Sequence, residues 1–153
     1  MTNEEYDKDV AAHRQLVDDY IGKMVVELES RADHHDFSKQ EEPERSIFME
    51  VVPKLKGLTY GSEEYKENLK GLGTALSHHY EYNRHHPEHF QETGISQMNL
   101  IDVIEMLCDW MAATKRHADG DIQKSIEINK NRFNIDPQLV SIIKNTVDFL
   151  KNK

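Results

Sequence analysis

No stretch of this chain alternates apolar and polar residues with the Val, Ile and Thr enrichment and turn chemistry of hairpins. Helical spacing of apolar residues recurs along its length instead. An all-α fold is therefore expected. Val10, Val17, Ile21, Met24, Val25 and Leu28 trace one apolar stripe, with Gly22 inside it as an expected break. A second helix is expected over about 42–54, followed by a turn at Gly57, Tyr60 and Gly61. Ser62 is suited to cap a third helix, with Glu63 and Glu64 where the helix dipole favours acids. That helix is expected to reach His85 or His86, ahead of Pro87, with Gly71 and Gly73 bending it or allowing close packing. Gly94 begins a turn, Asn99 caps an apolar helix from Leu100 to about His117, and Gly120 ends it. Asp121 caps the next helix, to about Arg132. Asp136-Pro137 is the strongest start signal, an N-cap acid before proline at the first helical position. Leu139, Ile142, Ile143, Val147 and Leu150 form the expected inward face of that closing helix. With 153 residues and no repeat, low-complexity tract or linker, one domain over 1–153 with about six helices is expected.

Charge narrows the function. The chain carries 19 Lys+Arg against 28 Asp+Glu, a formal net charge of −9. That balance disfavours non-specific binding to nucleic acid, which depends on neutralising phosphates, and docking on an anionic membrane. No apolar run approaches the ~18–20 residues of a spanning helix. The opening MTNEEYDKDV has neither the basic flank nor the apolar core of a signal peptide, so a cytoplasmic protein is expected. The single cysteine, Cys108, leaves no intramolecular disulfide and no cysteine-rich zinc module. At 37% hydrophobic residues the core is thin, so a helix face can need a second copy of the chain. A homodimer is one expectation on that ground, although no heptad stripe singles it out.

Nine histidines are the anomaly, and seven fall in two clusters. One is His34-His35-Asp36; the other runs from His78-His79 through His85-His86 to His89. Neutral imidazole is the commonest metal ligand, and mixed His/carboxylate sets suit iron, manganese, nickel or zinc better than calcium. On a continuous helix His79, Asn83 and His86 share a face, and His78 and His85 form the neighbouring stripe. Asp102, Glu105 and Asp109 also form one stripe, on a helix apolar nearly all round. Buried carboxylates there need partners or a metal. The simpler alternatives are a solvated His-His pair at a helix end, Asp102 as a first-turn acid beside Asn99, and Glu105 and Asp109 on a wet helix face. His89 and His117 read as surface residues, and Glu41-Glu42-Pro43-Glu44-Arg45 as a solvated loop and helix start.

The segment His35-Asp36-Phe37-Ser38-Lys39 resembles the HD superfamily of metal-dependent phosphohydrolases. That family is all-helical and takes its ligands from an early helical His, an adjacent His-Asp pair and a late Asp. Ser38-Lys39 stands where many members have Gly-Lys, and His78-His79-Tyr80-Glu81 resembles the His-His-Glu of members with two or three metals, with Tyr80 interposed. Asp109, in LIDVIEMLCDWMAA, resembles the late Asp. A closer resemblance is to an uncharacterised family of small phage and bacterial proteins that share an early His and HDxSK, NxHH and EMxxDW segments. Here these are His13, His35 to Lys39, Asn83 to His86, and Glu105 to Trp110. A phage-encoded member would act in the host cytoplasm.

The HD resemblance implies that His35, Asp36, His79, His86 and Asp109 hold one or two divalent transition-metal ions (Mn, Fe, Co, Ni or Zn), with His13 a further ligand. His13 and His35 are 22 residues apart, so sharing an ion requires a helical hairpin near Gly22. Asp36 would bridge two ions. A metal-activated water would attack phosphorus, Lys39 and Arg84 would neutralise phosphate charge, and Glu105 would orient a ligand imidazole or serve as general base. The implied substrate is a small phosphorylated molecule, a nucleotide foremost. Two alternatives stand beside this hydrolase: a non-catalytic metal- or nucleotide-binding protein, and an HD-type di-iron oxygenase.

Overall fold

Thr2 opens the first helix, α1 (Asn3–His34), with a capping box. Its hydroxyl accepts from the Glu5 backbone N–H at 3.2 Å, and the Glu5 carboxylate accepts from the Thr2 N–H at 2.7 Å. Ion pairs one turn apart, Glu4–Lys8 at 2.7 Å and Glu27–Arg31 at 2.9 Å, follow along the helix. The structure, a computed structural model, describes residues 1–55, 63–116 and 120–153. Helices account for all regular structure among them, so the fold is all-α. None of the described helices is long and apolar enough to cross a membrane.

Two compact units are described, Met1–His35 and Asp36–Lys153, and the hairpin expected near Gly22 does not form. The first unit is α1 and its flanking residues, unbroken across Gly22. Glycine in a helix costs only about 1 kcal/mol relative to alanine, which the cap and the paired side chains offset.

In the second unit a short 3-10 helix, Phe37–Gln40, leads into α2 (Glu44–Leu55), and the expected third helix is two, α3 (Glu63–Lys70) and α4 (Gly73–Tyr82). A Cβ on Gly71, which lies between them, would sit 3.3 Å from the Asn68 carbonyl oxygen and in ordinary contact with Val51 Cγ2 of α2 at 3.5 Å. Asn83, extended at φ −120° and ψ 97°, ends α4, and His85 and His86 therefore lie beyond the helix. The expected turn at Gly57, Tyr60 and Gly61, the Ser62 cap and His117 fall outside the described residues.

A run of 3-10 turns over Pro87–Gln97 then leads to α5 (Leu100–Thr114), α6 (Ile122–Arg132) and α7 (Pro137–Lys151). Asn99, Asp121 and Asp136 cap these three helices with their side chains. Met106, Leu107, Trp110, Ile122, Ile126, Ile143 and Val147 form the main core between them. The inward line of α7 is Val140, Ile143 and Val147; Ile142 and Leu150, expected to face inward, are 60% and 44% exposed. Val51, Leu72 and Ala75 are buried separately, between α2 and the start of α4.

Candidate metal centre

The site begins where the chain changes direction. His35 leaves the helical conformation as the C-cap of α1, and Asp36 takes left-handed angles, φ 57° and ψ 22°. Aspartate is among the few residues that tolerate this region. The 3-10 turn that follows returns Lys39 onto Asp36 Oδ2 and points the Ser38 hydroxyl at Asn83, whose side-chain amide donates to it at 2.7 Å.

Glu44, the first residue of α2, has no exposed surface. Its Oε1 lies 2.7 Å from His78 Nδ1 and its Oε2 lies 2.8 Å from His79 Nδ1. A carboxylate only accepts, so both Nδ1 atoms carry a proton, and His79 Nε2 points the other way. That Nε2 is 2.9 Å from His86 Nε2 and 3.3 Å from Asp36 Oδ1. His85 repeats the arrangement from the opposite side. Its Nδ1 meets Glu105 Oε1 of α5 at 3.1 Å, and its Nε2 lies 3.6 Å from Asp36 Oδ1.

One ligand atom each from Asp36, His79, His85 and His86 thus converges, all within 4.8 Å of one another. Two ligands bound to one ion at about 2.0–2.2 Å sit up to about 4.4 Å apart, a range that covers the three separations given. The donor set fits a cation, because imidazole nitrogens and a carboxylate oxygen, all of them metal-ligand types, face one another at a buried point. His86 has the right protonation for it. Burial, then the neighbouring His85 and His79, lowers its pKa to about 3 against the opposite pull of Asp109 and Asp36. A neutral imidazole is the form that ligates a metal. Three imidazoles with one carboxylate suit manganese, iron, cobalt, nickel or zinc.

The remaining sequence candidates divide. Asp109 lies on α5 with its carboxylate within 4.8 Å of that of Asp36. Arg84 is held by Asp102 in a two-point pair, 3.0 and 3.3 Å, and stacks over the Phe90 ring. Asp102 is fully buried and also closes the α5 capping box. His13 is the clear correction. Because α1 is continuous, about 33 Å of helix separates it from His35, and one chain cannot bring the two onto one ion. His89 donates its Nδ1–H to the Tyr80 carbonyl at 2.8 Å, and His34 donates likewise to the Ser30 carbonyl.

Two residues escaped the sequence reading. Glu44 stood in a charge run that reads as solvated, and its partners lie 34 and 35 positions away, beyond any local pattern. His85 falls on a separate stripe only if the helix continues through His86. With α4 ending at Tyr82, His85 turns in beside His79 and His78 turns to Glu44.

A family model matches residues 2–149, which include every residue of this site. The chain belongs to DUF5662, a family of unknown function. No curated protein and no solved structure matches this DUF5662 chain.

Proposed function

We propose that the chain is a divalent-metal-dependent phosphohydrolase of HD type, acting on a nucleotide or another small phosphoester. The observation that carries the reading is the convergence of Asp36, His79, His85 and His86, with two imidazoles braced on their far nitrogens by Glu44 and Glu105. A carboxylate–histidine–metal relay of this kind orients a ligand and raises its basicity. The HD resemblance supplies the reaction class, and adds His35 and Asp109 as ligands for a second ion.

A divalent ion supplies Lewis acidity and a coordinated water of lowered pKa. The chain's own groups have narrower tasks. Asp36 offers Oδ1 to the ion and keeps Oδ2 on Lys39. Lys39 reaches a substrate phosphate by leaving that pair. Glu105 orients His85, and Arg84 ties the 83–86 segment to α5 through Asp102.

That engagement of both cations favours a second reading, a protein that holds a metal or sequesters a nucleotide without turnover. Elemental mass spectrometry on protein purified without chelator, with Asp36→Ala and His79→Ala, tests the site. Near-stoichiometric transition metal, lost in both variants, supports it, and no uptake of manganese, iron, cobalt, nickel or zinc overturns it. A phosphatase screen with the bound metal then separates hydrolase from binder. Two irons with a charge-transfer band point to the oxygenase instead.

A further inference from the structure

The first unit presents an unusual surface. No residue of α1 is buried, yet Leu16, Val17, Tyr20, Ile21, Met24 and Val25 are each between 43% and 63% exposed. A helix draws most of its stability in a protein from packing an apolar face, so a 32-residue helix with none buried lacks that support. With no break at Gly22, the residues at alternating three- and four-residue spacing are Val10, Arg14, Val17, Ile21, Met24 and Leu28, five apolar and one charged, with Leu16, Tyr20 and Val25 outside that line. Arg14, Ile21 and Leu28 occupy one core position and Val10, Val17 and Met24 the other.

We propose that α1 is the dimerisation element, pairing antiparallel with α1 of a second copy of this chain. Charge selects both the partner and the direction. A parallel pair would stack Asp7 on Asp7 and Arg14 on Arg14 in the core layers. The antiparallel pair, with its two-fold axis at the level of residue 19, sets Val17 against Ile21, Arg14 against Met24 and Val10 against Leu28. It also sets Asp7 opposite Arg31, which is ion-paired with Glu27 within its own helix. His13 then flanks Glu27 of the other copy. Asp18 meets its own counterpart at the edge of the seam, where both carboxylates stay in water. The helix that leads into the His35-Asp36 turn is thereby the element that joins two copies.

Sedimentation or light scattering on the full chain tests the dimer. A mass of twice 17.9 kDa is expected at micromolar concentration, and Val17→Asp with Ile21→Asp is expected to return one chain mass. Both positions are exposed in the single chain, so the circular dichroism of the second unit is expected to survive. Disulfide trapping in a Cys108→Ser background tests direction without destabilising the helix. Arg14→Cys and Met24→Cys are each expected to resist linking to themselves, because like positions lie about 15 Å apart along the antiparallel seam. Mixed together, they are expected to cross-link. A monomer at every concentration, a dimer that survives the double aspartate variant, or no cross-link in the mixture overturns the proposal. Self-linking of Arg14→Cys means a parallel pair and overturns it as well.

Discussion

A carboxylate as deeply buried as Glu44 is stable only while donors answer both of its oxygens, and His78 and His79 are those donors. Replacing it by glutamine changes one acceptor into a donor. One of the two imidazoles must then move its proton from Nδ1 to Nε2, and if that is His79 its ligand lone pair is lost. Glu44→Gln is therefore expected to weaken metal binding by about 10–100-fold while leaving the ligands in place, as loss of an orienting partner does. Titration with cobalt, followed in the visible range, checks this; unchanged affinity would remove Glu44 from the site. His86 makes a second prediction. Its folded pKa is about 3, whereas a free imidazole titrates near 6.5, so below about pH 6.5 the unfolded chain takes a proton that the folded chain refuses. The contribution of His86 to stability is thus present above about pH 6.5 and is lost as pH falls toward 3, by up to about 1.4 kcal/mol per pH unit. Urea midpoints of metal-free protein between those limits are expected to fall less steeply for His86→Gln than for the natural chain. Of these residues, His79 and His86 stand out in the sequence because histidine pairs near acids are conspicuous. Glu44 does not, because its meaning lies in a contact between α2 and α4 that no local pattern records.

At the scale of elements, the starts of α5, α6 and α7 were legible, and the start and end of α4 were not. Caps are local chemistry, and Asn99, Asp121 and Asp136 each accept a backbone N–H from within the next few residues. The end of α4 depends on a side chain, Asn83, that donates to Ser38 and to the His79 carbonyl. The first of these bonds is tertiary, joining residues 45 positions apart. Gly22 misled in the opposite direction, since a glycine weakens a helix without having to end it. Open space surrounds the position where its Cβ would be. Gly22→Ala is accordingly expected to stabilise α1 by about 0.5–1 kcal/mol. Slower amide hydrogen exchange over the middle of α1, with metal content unchanged, is the expected reading. Faster exchange there would mean that the backbone at residue 22 needs a conformation alanine resists.

Within the second unit the apolar core and the candidate metal centre draw on largely different elements, with α5 common to both. Met106, Trp110, Ile126, Ile143 and Val147 join α5, α6 and α7. The converging ligands come instead from the Asp36 turn, α4 and the 85–86 segment, braced by Glu44 of α2 and Glu105 of α5. An ion bound there would tie together the half of the unit in which, among the described residues, few apolar side chains are buried, Val51, Leu72 and Ala75 among them. Ligand binding to the native state alone stabilises by mass action, about 4 kcal/mol when the free ion is a thousandfold above its dissociation constant. Chelation is therefore expected to lower the calorimetric midpoint by many degrees and to let the α2–α4 half unfold ahead of the α5–α7 core, giving two transitions where the loaded protein gives one. His79→Ala is expected to show the early transition with or without chelator. Val147→Ala, which opens a cavity in the other half, is expected to lower the later transition while the chelator still moves the early one. A chelator shift of equal size in His79→Ala would place the stabilising ion elsewhere in the chain.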